Sequence, residues 1–351
     1  MFTPNYENIV NAAKNKKSDR IPLYEHIISA NIMERMTGKR FAHLQDGGYA
    51  DKLEFFRSCS GFQRDMGYDA SVFEGCVGPV MPGSGALGGH KEGVIKTRED
   101  FELYPWDTIP QLFFEKYTDD FRALRETMPE GMKAIGGVGN GVFECVQDVV
   151  GFEALCYIRA DDYDLYRDLF AKVGDVMCAI WERFLSEFAD LYCVCRFGDD
   201  LGFKSTTLIG RDDIVDLIIP QYKRIIKIIH KREKPFLFHS CGCIFNIMDE
   251  LIAQAGIDAK HSNEDVIAPF GRWIDDYGSR IGNFGGLDTD VLTDLSHVDI
   301  VDYTTQVYEK CAAKGHGVAI GSGNSIPDYV SPQRYRQAIE TIRRLRGDAG
   351  I

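Results

Sequence analysis

Pro235-Phe236-Leu237-Phe238-His239-Ser240-Cys241-Gly242 is a short apolar run that ends in two metal-capable side chains. The run is too apolar for a surface strand and too short for a helix, so it reads as a buried strand. In extended backbone, residues two apart face the same side. The imidazole of His239 and the thiol of Cys241 therefore project together, where one zinc ion would accept both at about 2.0–2.3 Å. Gly242 lets the chain turn sharply behind them. An amphipathic stretch at 244–255 follows, which completes a strand-then-helix unit.

The same unit recurs in both directions along the chain. Apolar runs at 21–26, 68–74, 132–139, 191–198, 235–239, 256–261, 280–285 and 317–321 alternate with helical patterns, clearest over 161–188, 211–231, 244–255 and 332–346. Eight such strands separated by helices predict a closed parallel (β/α)8 barrel, the TIM barrel, better than an open sheet. There is no internal repeat, low-complexity tract or linker, so residues 1–351 read as one barrel domain. Residues 75–130 read as an elaborated loop or lid over the barrel mouth.

Composition narrows the function. A net charge of −13 argues against a nucleic-acid partner, because phosphate contacts need a basic face. No apolar run is long enough to cross a bilayer, and the polar start of the chain does not read as a secretory signal. The expectation is a cytoplasmic protein. Ten scattered cysteines without framework spacing read as reduced thiols, which would suit an anaerobic cytosol.

In barrels of this kind the chemistry sits at the C-terminal ends of the strands. Here those ends carry Glu25-His26, Glu74, Asn140, Asp199-Asp200, His239-Ser240-Cys241, His261-Ser262-Asn263-Glu264, Asp288 and Ser322-Gly323-Asn324. A catalytic zinc on His239 and Cys241 needs a third protein ligand. Glu25, Asp200, Asp288, Glu264 and Cys243 are the candidates, with Glu25 preferred. Asp200, His261 and Asp288 are the candidate catalytic groups, as proton carriers or substrate-orienting side chains. Glu54, Asp69 and His90 bracket the lid and form a rival acid/His set. The run Gly136-Gly137-Val138-Gly139-Asn140-Gly141 lacks the spacing of a dinucleotide loop and reads as a strand end that another backbone approaches closely.

In combination and in order, several segments resemble the uroporphyrinogen decarboxylase-like superfamily, especially its corrinoid-dependent methyltransferase branch. They are Asp19-Arg20-Ile21-Pro22-Leu23-Tyr24-Glu25, Gly198-Asp199-Asp200-Leu201-Gly202, Phe238-His239-Ser240-Cys241-Gly242, Gly256-Ile257-Asp258-Ala259-Lys260-His261-Ser262, Gly285-Gly286-Leu287-Asp288 and Gly321-Ser322-Gly323-Asn324-Ser325. The resemblance runs almost end to end. It implies the barrel, a zinc held by His239 and Cys241, and a corrinoid-protein partner.

Two departures shape the expectation. The segment Glu25-His26-Ile27-Ile28-Ser29-Ala30-Asn31 lacks the arginine with which true decarboxylases grip porphyrinogen carboxylates. Gly323 stands where the thiol-methylating branch carries a third zinc-binding cysteine. The favoured activity is therefore methyl transfer from a small methylated substrate, first a methoxylated aromatic, to the corrinoid protein. Metal-independent decarboxylation and methylcobamide:thiol methyl transfer are the alternatives. Phe73, Tyr104 and Trp106 are candidates for holding a flat substrate.

Overall fold

A computed structural model describes residues 2–89 and 91–348. At its centre lies one sheet of seven parallel strands in sequential order. They are β1 (Ser71–Cys76), β2 (Ala134–Gly139), β3 (Tyr192–Gly198), β4 (Phe236–His239), β5 (Ala259–His261), β6 (Gly282–Leu287) and β7 (Val318–Ser322). Parallel neighbours need crossovers, and each connection runs through helical segments. Strands β2 to β7 are buried throughout, which explains why they read as apolar runs and not as alternating patterns, whereas β1 is half-buried at four of its six residues.

The sheet curls on itself. Ile135, Val194, Leu237, Ala259, Phe284 and Ala319, from β2 through β7, meet Tyr24 and Ala70 in an inner cluster separate from the helix-to-sheet core. Helix α1 (Glu7–Ala13) adds Ile9, Ala12 and Ala13 to that cluster. It closes the floor at the N-terminal ends of the strands, where the Ala12 carbonyl lies 2.4 Å from where a Cβ on Gly282 would stand.

The expected eighth strand, at 21–26, is the correction. Leu23 makes a parallel bridge to Ile320, built from Tyr24 N–H to the Ile320 carbonyl and Ile320 N–H to the Pro22 carbonyl, both 2.9 Å. Among the described residues no ladder joins this segment to β1. Pro22 has no amide hydrogen to give. Side chains tie the gap instead: Tyr68 donates to Glu25, and Arg20 pairs with Asp69. The architecture is thus a curled sheet of seven parallel strands, with the 21–26 segment bridged to its β7 edge at one residue pair.

The helices differ from expectation only in their breaks. The pattern at 161–188 begins properly at Tyr163, because the Asp162 side chain accepts the Leu165 N–H and caps Tyr163–Phe188. The rod at 211–231 carries a π-turn over Ile214–Ile218, and 244–255 ends in another over Leu251–Ala255. After the bridged segment come α2 (Ala30–Thr37) and α3 (Tyr49–Met66). The N–H groups of Ala86, Val94 and Ile95 bond the carbonyls of Asp148 and Val149 in the helix Val142–Val150. In β2, Gly136 has φ +126°, and a Cβ there would stand 2.3 Å from the Phe73 carbonyl; this is the close approach that the glycine run signals. No helix among the described residues is long and apolar enough to cross a membrane.

Candidate metal centre at the strand ends

Register brings the site together. β3 pairs Gly198 with His239, and β4 pairs His239 with His261, so the last residues of adjacent strands stand level. His239 lies in a row of three buried imidazoles. His26 stacks on it with ring centroids 3.8 Å apart and planes within 8°. On its other side, His239 Nδ1 is 2.7 Å from His261 Nδ1. His261 Nε2 in turn lies 3.0 Å from the Ser322 carbonyl.

Burial first, then neighbouring positive charge, holds the His239 imidazole well below its ordinary range, and His261 is pushed down to about 3 by burial. Both rings are therefore neutral, and their tautomers follow from the partners. A carbonyl oxygen only accepts, so His261 carries its hydrogen on Nε2. Its Nδ1 is then bare and accepts from His239 Nδ1–H. That leaves His239 Nε2 bare, and it faces Cys241 Sγ at 3.4 Å. A ligating imidazole needs this tautomer, fixed by a second partner on its other nitrogen.

Asp200 completes the group. Its Oδ1 accepts the Cys241 backbone N–H at 2.8 Å and lies 3.8 Å from His239 Nε2. The imidazole nitrogen, the sulfur and the carboxylate oxygen all lie within 4.8 Å of one another. Asn324 Nδ2 donates to Cys241 Sγ at 3.3 Å from the β7 side. Burial first, and the Asp200 charge second, push the Cys241 thiol up, so an electropositive partner is what would ionise it. Tetrahedral zinc with ordinary bond lengths requires nitrogen–sulfur and nitrogen–oxygen separations of about 3.3–3.6 Å. The donors fit such an ion with little movement, and Asp200, with its side chain 44% exposed, leaves one side open.

Four of the expected residues, His239, Cys241, Asp200 and His261, thus meet. The adjacent acids divide their roles. Asp199 is fully buried and caps the helix Val142–Val150, accepting the N–H groups of Phe143 and Glu144 at 2.8 Å each and the hydroxyl of Tyr222. Glu25 stands apart from the metal-capable group. Its carboxyl accepts the Ser322 N–H at 3.0 Å, the Ser322 hydroxyl and the Tyr68 hydroxyl at 3.3 Å, and reaches the centre only through Ser322. Burial pushes it up to about 8. Asp288 is likewise committed, accepting N–H groups of Asp265 at 2.6 Å and Asp290 at 2.8 Å. With Glu264 and Asn324 it lines a separate polar cavity of about 270 Å³. The Cys243 N–H binds the Phe203 carbonyl.

Of the rival set, only the two acids lie among the described residues. Glu54 pairs with exposed Arg57 and Asp69 with Arg20, while His90 lies outside the described residues. Tyr104 and Trp106 pack on each other and bond the carbonyls of Pro82 and Phe101, within their own stretch of chain. Phe73 faces a cavity of about 500 Å³ that also touches His26, Glu74 and Arg196.

Three side chains matter here that were not among the candidate ligands or catalytic groups. His26 and Asn324 stand at strand ends in the sequence but carried no assigned role. Arg196 was the readable one, a lone charge inside the apolar strand Tyr-Cys-Val-Cys-Arg-Phe-Gly, which a buried partner must answer. Gly323 has a reason too. A Cβ there would stand 2.1 Å from the Asn263 carbonyl, so no side chain enters the site from that position without displacing backbone.

The profile of the uroporphyrinogen decarboxylase (URO-D) family matches residues 91–345, well over half of the chain. Among solved structures, a methyltransferase from Methanosarcina mazei superposes with a TM-score of 0.70 at 14% identity, over 98% of this chain and 99% of that one. A structure described as a vitamin-B12-independent methionine synthase from Listeria monocytogenes gives 0.54 at 11% identity, over 100% and 99%. Likenesses at such identities speak for the fold. No curated protein matches the sequence.

Proposed function

We propose that this chain, which belongs to the uroporphyrinogen decarboxylase (URO-D) family, is a zinc-dependent methyltransferase. It moves a methyl group from a small methylated substrate, a methoxylated aromatic first among them, to a corrinoid carried by a partner protein. The observation that carries this reading is the convergence of His239 Nε2, Cys241 Sγ and the Asp200 carboxylate at the strand ends. These three residues would hold the zinc. When bound there, zinc supplies Lewis-acid polarisation of the heteroatom that loses the methyl group.

The chain's own residues do the rest. Ser322 and His261 keep His239 Nε2 bare, and Asn324 directs an amide at the sulfur. A carboxylate as the third donor makes the set harder than two thiolates would, which favours an ether oxygen over a thiol. Gly323 gives no second thiolate, and this weighs against thiol methylation. Porphyrinogen decarboxylation would need free cations for substrate carboxylates, whereas Arg196 at the neighbouring cavity is already paired with Glu74.

Protein purified without chelator should hold about one equivalent of zinc, lost in His239→Ala and in Cys241→Ala. It should methylate reduced cobalamin from at least one methoxyaromatic. Substoichiometric zinc that is unchanged in His239→Ala overturns the metal assignment. Full zinc without transfer from ethers, methylamines or methylthiols overturns the reaction.

A further inference from the structure

Lys260 is a buried charge that the metal centre does not use. It stands in the middle of β5, 3% exposed, and reaches toward the helix Phe270–Tyr277. Among the described residues no carboxylate pairs with it. Its Nζ donates to the Ser262 carbonyl and sits 3.6 Å from the centre of the Trp273 ring. Burial brings the ammonium down to about 7, and of the groups that oppose this the Cys241 sulfur comes first, ahead of Glu264, Asp200 and Cys243. An ammonium kept inside without a counter-ion is costly, and a methionine would fill the same space without that cost.

Both of its partners lead to the turn that carries Cys241. The Ser262 hydroxyl donates to the Ser240 carbonyl at 3.2 Å, and the Ser240 N–H donates to the His261 carbonyl at 2.9 Å. Ser240 stands between His239 and Cys241, so this end fixes where the sulfur leaves β4. At the other end Phe245, four residues past Cys241, stacks on Trp273 with ring centroids 4.2 Å apart and planes within 19°. A cation and a ring so close to one indole cannot share a face, so Trp273 lies between them. Its Nε1 meets no partner, and the indole is placed by packing and not by a hydrogen bond. Arg272, 4.7 Å from the centre of the Phe245 ring, completes the stack.

The geometry points to Lys260 as the positioning residue of Cys241: one buried ammonium holds both ends of the turn that carries the sulfur, through Ser262 at Ser240 and through Trp273 at Phe245. An apolar side chain of the same length would pack there but would neither donate to Ser262 nor attract the indole face. Gly242, at φ +78°, has no side chain of its own to anchor the turn between those ends. That the sulfur so placed meets zinc rests on the metal reading above; the clamp itself does not.

Hydrogen exchange of the chelator-treated full chain, read by mass spectrometry at about pH 6 so that the ammonium keeps its proton, tests the clamp. The N–H groups of Ser240, Cys241 and Cys243 give to the His261 carbonyl, the Asp200 carboxylate and the Phe203 carbonyl, and they report on the turn. Lys260→Met should speed their exchange about five- to thirtyfold and leave the helix Ile219–His230 as it is. Lys260→Arg keeps a charge, a donor and a cation–π partner and should restore the protection. Unchanged exchange in Lys260→Met, or a loss that Lys260→Arg does not mend, overturns the inference. If the arginine variant fails to fold, Trp273→Leu decides. Faster exchange at Cys243 than at Ser240 then supports the clamp, while no change at Cys243, or as large a change in the helix Ile219–His230, overturns it. In chelator competition, zinc affinity should fall by the same factor in Lys260→Met. A chain that holds no zinc yet loosens in Lys260→Met leaves this inference standing and the metal reading fallen. Zinc held equally by both chains, with exchange unchanged, does the reverse.

Discussion

The two sides of His239 are built on opposite principles. Toward β5 and β7, every polar group in the chain Tyr335–Tyr68–Glu25–Ser322–His261–His239 has a protein partner, from the Tyr68–Tyr335 hydroxyl pair at 2.5 Å to the imidazole pair at 2.7 Å. Toward β1, a polar group is left over beside a cavity of about 500 Å³: His26 Nδ1 is buried without a partner. A saturated network positions a group once and holds it there. An unsaturated one at a cavity waits for a ligand. The difference gives the first side the means to fix His239 Nε2 in one tautomer, while the second keeps polar capacity to spare.

The largest effect should come from breaking the open side at its root. Arg196→Met leaves the Glu74 carboxylate buried without its cation and should cost about 3–5 kcal/mol of stability in denaturant unfolding. Replacing both partners, Arg196→Met with Glu74→Met, should recover most of that loss, since no charge is then stranded. A double variant as unstable as the single one would mean that Arg196 is held mainly for Tyr24 and the His26 carbonyl.

On the saturated side the expected loss is smaller and of another kind. His261→Ala frees His239 to carry its hydrogen on Nε2, which should weaken zinc binding about 10–100-fold. Competition with a chromophoric chelator reads the change. Unchanged zinc affinity would mean that His261 does not set the His239 tautomer. Asn324→Ala should fall below either, because it removes one amide contact to sulfur at a cost of about 0.5–1.5 kcal/mol.

The same contrast explains what the sequence made legible. Strands were visible because burial on both faces makes them continuous apolar runs, and His239, Cys241, Asp200 and His261 were visible because they close such runs. The missing eighth strand was hidden by its own residues. Ile21-Pro22-Leu23-Tyr24 is as apolar as its siblings, and only tertiary pairing reveals that Pro22 and the side chains of Tyr68 and Arg20 replace a ladder. Glu25 and Asp200 both end strand-like runs, and nothing local says which carboxylate bends toward Cys241. That choice depends on Ser322, a partner 297 residues away in sequence, whose amide and hydroxyl claim Glu25.

Protonation offers the finest test of the saturated side. Burial raises the Glu25 carboxyl from its ordinary 4.5 to about 8, partly offset by the hydrogen bonds from Ser322. The folded chain therefore binds this proton more tightly than the unfolded one. Its contribution is whole below about pH 4.5, shrinks as pH rises toward about 8, and is level beyond. Asp199, raised to about 7 mainly by burial, adds a slope of the same sign, so the wild-type curve alone does not identify its source. Glu25→Gln keeps the shape and an acceptor for the Ser322 N–H but has no proton to lose. Across about pH 5–8, urea unfolding should show the wild type losing stability relative to this variant. A constant difference would mean that Glu25 is ionised in the fold, and that Ser322 is held by a charge and not by a neutral acid.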